Sequence, residues 1–330
     1  MGSIGKDEVM MANGGHLHRG DDMSEAVAII GLATKFPSDA ADTASFWKFL
    51  LSGRSAHTAW PEHRIGAGHY HPDSDRGGSH AVAGGNFLKD DPADFDAPFF
   101  SITKGEASSM DPQQRLVLEN VYLALENSGI SLAKVSGTDT SVFVSGFNHD
   151  HLALLSADME ATLRYRATGL TNSILSNRVS WFFDFKGPSM TIDTACSSSL
   201  VTLHQACQSL RSGESEMAIS TGVTVINHPN DIIGMSYQGF LGSQGKSFAF
   251  DHRAEGYARG EGVGTIVMKR LTDAVRDGNT IRAVIRGTGV NQDGRTPGLT
   301  LPDSGAQERL IKKVYASAGL DFQDTHMIEA

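Results

Sequence analysis

Cysteine is almost missing from this chain: 330 residues carry two, Cys196 and Cys207. If the apolar spacing after Cys196 marks a helix, the two lie about 16 Å apart along it at 1.5 Å per residue. A disulfide cannot span that distance, so a stapled secreted domain is excluded and a reducing, cytoplasmic setting is expected. Long apolar runs are missing too. No stretch resembles a signal peptide or a membrane span, and Met1-Gly-Ser-Ile-Gly-Lys6 has Lys6 where a myristoylation signal has Ser or Thr. There is no excess of basic residues: the net charge of −10 argues against nucleic acid as a main ligand. Metal-ligand spacing is absent. His63, His69, His71, His80 and Asn148-His-Asp-His151 have no cysteine or His-x-x-x-His partner, and solvated loop histidines are expected. Gly260-Glu-Gly-Val-Gly264 fits neither the Rossmann nor the Walker phosphate loop, which leaves turn geometry. Neither a metal nor a directly bound cofactor is expected.

What the chain does have is glycine, 36 residues, above the roughly 7% average of soluble domains, and a regular alternation of strand and helix signals. Residues 1–24 lack periodicity and read as a disordered tail. Ala26-Val-Ala-Ile-Ile-Gly31 suits a buried parallel strand. A helix over 44–51 carries Phe46, Trp47, Leu50 and Leu51 on one side, and a loop-rich stretch follows to Phe100. Asp111 can cap a helix that has Pro112 in its first turn, a stripe of Val117, Val121, Ala124 and Leu125, and Gly129 as its stop. Strands are expected over 141–145 and 217–225, and a helix over 172–183. A long glycine-containing loop then runs to Gly262, of the kind that is usually functional. Residues 264–269 and 281–286 read as adjacent strands joined by a short helix over 271–276. Ser304-Gly-Ala-Gln307 reads as a capping box for a last helix with the stripe Leu310, Ile311 and Val314. His326-Met-Ile-Glu-Ala330 reads as the start of a strand in which the chain stops, so a fragment is expected. The fold class is α/β.

Chemistry concentrates at Pro188-Ser-Met-Thr-Ile-Asp-Thr-Ala-Cys-Ser-Ser-Ser-Leu200. Met190, Thr191 and Ile192 suit a strand, whereas Leu200, Leu203, Ala206, Cys207 and Leu210 recur at helical steps. Cys196 therefore sits on a strand-to-helix turn. There unpaired N–H groups and the positive end of the dipole favour a thiolate, and the same N–H groups can hold an oxyanion. A buried cysteine capping a core helix is the plainer alternative. The sharp turn and the three serines weigh against it.

Several blocks in order carry a resemblance: Asp193-Thr-Ala-Cys-Ser-Ser-Ser199, residues 26–37, Phe95-Asp-Ala-Pro-Phe-Phe-Ser101, Met110-Asp-Pro-Gln-Gln-Arg115, residues 250–262 and Gly287-Thr-Gly-Val-Asn-Gln-Asp-Gly294. Together they resemble the ketosynthase (β-ketoacyl synthase) domain of type I polyketide synthases over nearly all of residues 25–330. Gly294-Arg-Thr-Pro-Gly298 and Gly84-Gly-Asn-Phe-Leu88 most resemble the fungal, highly reducing members. The resemblance implies a thiolase-like αβαβα fold, of which this chain holds the N-terminal half and the start of the second half. It implies a homodimer whose partners are an acyl carrier protein and other synthase domains. Cys196 would be the nucleophile, with its backbone N–H as oxyanion donor. It would take an acyl chain from the carrier's phosphopantetheine before decarboxylative condensation with a malonyl extender.

The family also uses two histidines, the first opening a His-Gly-Thr-Gly-Thr motif. Glu329-Ala330 matches the lead-in to that motif, and none of the 13 histidines falls at either position. His326 lies several residues off and takes no role. The second reading is thus a catalytically silent ketosynthase fragment with uncovered apolar surface. A thiol hydrolase would need a base that the sequence does not nominate.

Overall fold

The computed structural model describes residues 25–65, 67–73, 76–157 and 164–329, with Val9–Met10 and His16–Leu17 before them. The tail expected over 1–24 lies outside the described residues, apart from the antiparallel pairing of those two short strands. A six-stranded mixed sheet organises the rest. Its strands are β1 (Val27–Lys35), β2 (Thr140–Ser145), β3 (Ser189–Ile192), β4 (Met217–Thr224), β5 (Gly262–Arg270) and β6 (Ala283–Ile285), in the spatial order β6-β1-β5-β4-β2-β3. β2 runs parallel to β3 and β4. β5 runs antiparallel to β4 and β1, and β6 antiparallel to β1.

Helices cover both faces: α1 (Thr43–Leu51), α2 (Pro112–Ser128), α3 (Ser173–Phe183), α4 (Ser198–Ser212), α5 (Asn230–Tyr237), α6 (Leu271–Arg276) and α7 (Ser304–Ala318). α2 forms as its sequence dictates. Asp111 accepts from the Gln113 N–H at 2.8 Å, Pro112 occupies the first turn, and Gly129 closes the helix at φ 73°. The period-2 alternation of β2 divides the core. Val142 and Val144 join Val117, Val121, Val179 and Val267 on one face, while Phe143 joins Val27, Cys207, Leu210 and Met268 on the other. Each such fully buried side chain stabilises the fold by roughly 1.5–3 kcal/mol.

Several expectations are corrected. β1 is buried but antiparallel to both neighbours, because a continuous apolar run reports cover on two faces and not direction. β5 and β6 are not adjacent: β1 lies between them. The loop after β4 contains α5, and Ile232 of α5 packs against Trp60 and Ile226. The cap of α7 is Asp303, which accepts from the Ala306 N–H, one residue before the expected Ser304. Its stripe is half covered, with Ile311 exposed, and the apolar residues Trp47, Leu50 and Leu51 of α1 are exposed as well. His326–Glu329 pairs with no strand among the described residues, and a strand needs a neighbour to satisfy its backbone. His80 and His151 are buried, not solvated.

Candidate active site

β3 delivers the chain to Cys196, and α4 carries it away. Between them Ala195–Ser197 makes one turn of 3₁₀ helix, so Cys196 stands two residues before α4 and not at its first residue. Ala195 holds φ 54°, a left-handed conformation that a residue with a Cβ rarely adopts. The turn is held by side chains. Asp193 Oδ1 accepts from the Ala195 N–H at 3.0 Å, and Ser198 Oγ accepts from the Thr194 N–H at 2.7 Å and donates to the Ala195 carbonyl at 2.7 Å. Ser197 Oγ donates to the Thr194 carbonyl at 2.8 Å. Those side chains take the N–H groups of residues 194 and 195 and not that of Cys196. Cys196 is exposed, and Cys207 is buried, its thiol pushed up to about 11 by burial.

A cleft of about 410 Å³ opens beside the turn, with Ala195, Ser198 and Ser199 on one wall. Phe147, Thr224 and Glu261 lie on others. Two glycines admit this arrangement. At Gly222 of β4 a Cβ would stand 2.9 Å from the Ser199 Cβ, and at Gly262 (φ 153°) it would stand 2.7 Å from Phe36 Cδ1. Of the glycines in residues 260–264, Gly262 is the one that close packing requires. Glu261 is fully engaged: Arg64 forks onto it at 2.7 and 3.1 Å, and the Leu88 and Ile226 N–H groups donate to it at 2.9 and 2.8 Å.

Sequence reasoning found Cys196 and its turn but missed Phe147, Thr224 and the Arg64–Glu261 pair. The Gly-Glu-Gly spelling was the available signal for Glu261; its partner stands 197 residues away. No histidine is hydrogen-bonded to Cys196 among the described residues, and His204 of α4 is engaged with Thr288 Oγ1 at 2.8 Å. The thiol-hydrolase alternative is thus given no base hydrogen-bonded to Cys196 among the described residues. No cluster of potential metal ligands occurs among the described residues. No helix among them is long and apolar enough to cross a membrane.

A family profile described as "Beta-ketoacyl synthase, N-terminal domain" matches residues 24–274, and its C-terminal companion matches residues 282–330. The chain belongs to the β-ketoacyl synthase family. Among curated relatives, it is 50% identical over 308 residues to the highly reducing polyketide synthase otaA of Aspergillus carbonarius and 48% identical over 307 residues to the 6-hydroxymellein synthase cdmE of Talaromyces verruculosus. Each match covers 93% of this chain and 12% of the relative, so the chain spans about an eighth of those proteins. Among solved structures, the oxazolomycin ketosynthase domain OzmH KS7 of Streptomyces albus superposes with a TM-score of 0.85 at 38% identity, over 91% of this chain and 53% of that one. The module 6 ketosynthase of the Bacillus subtilis bacillaene synthase gives 0.80 at 33%, over 90% and 49%. The expected thiolase-like α/β fold holds, and with it the place of this chain among ketosynthase domains.

Proposed function

We propose that Cys196 is the acyl-accepting nucleophile of a polyketide-forming ketosynthase. The observation that carries this reading is an exposed thiol on a strained, side-chain-braced turn, beside a cleft that its own turn helps to line. The Cys196 sulfur attacks the thioester carbonyl of an acyl chain borne on the phosphopantetheine of an acyl carrier protein. The Cys196 N–H, at the N-terminal side of α4, supports the oxyanion, and the carrier's thiol leaves with a proton. A malonyl extender then loses carbon dioxide. The electron pair of the broken C–C bond forms the new bond to the acyl carbon, and the Cys196 thiolate departs. The partners of this reading are the carrier protein, other synthase domains and a second copy of the chain, in the cytoplasm. No cofactor binds directly.

Loading tests the first step. With an acyl N-acetylcysteamine thioester, intact-mass spectrometry is expected to show one acyl adduct that maps to Cys196 and is lost in Cys196→Ala. An adduct of undiminished yield in Cys196→Ala would assign the chemistry to another residue.

A further inference from the structure

Two stretches of irregular chain meet beside the cleft, and buried side chains bind them together. Residues 146–149 leave the carboxyl end of β2, and residues 225–228 leave that of β4, its parallel neighbour. Neither stretch is helix or strand, so its backbone groups need partners from elsewhere. The second stretch finds them residue by residue. The Val225 carbonyl accepts from Asn148 Nδ2 at 2.8 Å, and the Ile226 N–H donates to Glu261 at 2.8 Å. The Asn227 and His228 N–H groups both donate to Asp150 Oδ2, at 2.8 and 3.1 Å. Asn148 Oδ1 in turn accepts from the Asp150 N–H at 2.7 Å, which ties the two clasping residues together.

Asp150 is 5% exposed, and burial pushes its carboxyl above the usual carboxylate range. What sets it apart from an ordinary loop staple is where the clasped residues lie. Phe147 precedes Asn148 and Thr224 precedes Val225, and both line the cleft with Ala195, Ser198 and Ser199. The Cys196 turn follows β3, the other parallel neighbour of β2, so all three segments leave the same end of the sheet. In open α/β sheets that end is where ligands bind. Most of the lining residues are glycine, alanine or serine, so the few larger side chains, Phe147 and Thr224 among them, set the room inside.

We propose that Asp150 is a positioning residue: by holding Asn227 and His228 it fixes Thr224 relative to Phe147, and so limits the size of the acyl group that Cys196 accepts. This rests on the ketosynthase reading above and adds to it a control of acyl selectivity.

The test is a competition. Acetyl and hexanoyl N-acetylcysteamine thioesters are offered together, and intact-mass spectrometry reads the ratio of the two adducts at Cys196. That ratio does not depend on the folded fraction, so lost stability alone leaves it unchanged. Asp150→Ala is expected to shift it toward hexanoyl by at least about threefold. Asp150→Asn, which keeps an acceptor oxygen, is expected to stay near the wild type. Leu118→Ala, a core truncation in α2, is expected to lower total loading and leave the ratio alone. If Asp150→Ala does not fold, Asn148→Ser decides, because it drops the donor to Val225 and is expected to shift the ratio the same way. A wild-type ratio in both Asp150→Ala and Asn148→Ser would overturn the proposal. So would an equal shift in Leu118→Ala, since the effect would then belong to general loosening. A wild-type chain that takes up neither acyl group would instead remove the ketosynthase reading, and this proposal with it.

Discussion

The two ends of the Cys196–Ser212 unit are made of similar residues and behave oppositely. At its start the backbone is strained, the side chains of residues 193–197 are exposed, and polar bonds do the bracing. From Thr202 onward the same unit is core: Ala206, Cys207 and Leu210 are buried against Val27, Phe143 and Met268. The difference teaches that the packed end secures the strained one. A left-handed alanine persists where the surroundings over-determine it, and here they do so through a helix fixed to the sheet about three to four turns away. The sharpest way to break the comparison is to delete matched leucines. Leu210→Ala is expected to cost about 2–5 kcal/mol in denaturant unfolding, and Leu200→Ala, 69% exposed, within about 0.5 kcal/mol. Similar costs would mean that the packed end does not anchor the unit.

The two thiols sharpen the same contrast. Burial holds the Cys207 thiol near 11, so at pH 8 its thiolate is scarce as well as covered. Iodoacetamide is expected to alkylate Cys196 at least about a hundredfold faster than Cys207 in the folded protein, with the two rates converging in denaturant. Peptide mapping over a time course reads both rates at once. Equal native rates would leave Cys196 an ordinary thiol.

How much of this was legible in the sequence follows the range of the interactions. Local chemistry was readable: the Asp111 cap and Gly129 stop of α2 and the strand–turn–helix at Cys196 all depend on residues a few positions apart. Pairing was not. The antiparallel sense of β1 and its place between β5 and β6 depend on strands more than 200 residues away, which an apolar run cannot encode. The same limit hid the cleft, where Phe147, Thr224 and Glu261 meet the turn only after the sheet assembles. Burial of His80 and His151 was missed because both sit in polar, loop-like sequence with no apolar periodicity to mark a covered face. Only the Asp303 cap of α7 was a local misreading, since Ser304 and Asp303 are both capping residues and spacing alone chose the wrong one.

The smallest expected effect tests whether the two ends of the unit communicate through the sheet. Gly222 of β4 faces Ser199 in the first turn of α4, and an added methyl would lie 2.9 Å from the Ser199 Cβ. Gly222→Ala must therefore push the start of α4 away from β4, at an expected cost of about 1–3 kcal/mol. Because the 3₁₀ turn that carries Cys196 runs directly into the start of α4, acyl loading is expected to slow about tenfold, which corresponds to about 1.4 kcal/mol in the barrier. Ser199→Gly removes the opposing Cβ, so the double variant is expected to regain most of both losses. A stability cost with unchanged loading would show that the turn is held by its own hydrogen bonds alone. Recovery of stability and loading together in the double variant would show that it is the contact between Gly222 and Ser199 that sets where the thiol stands.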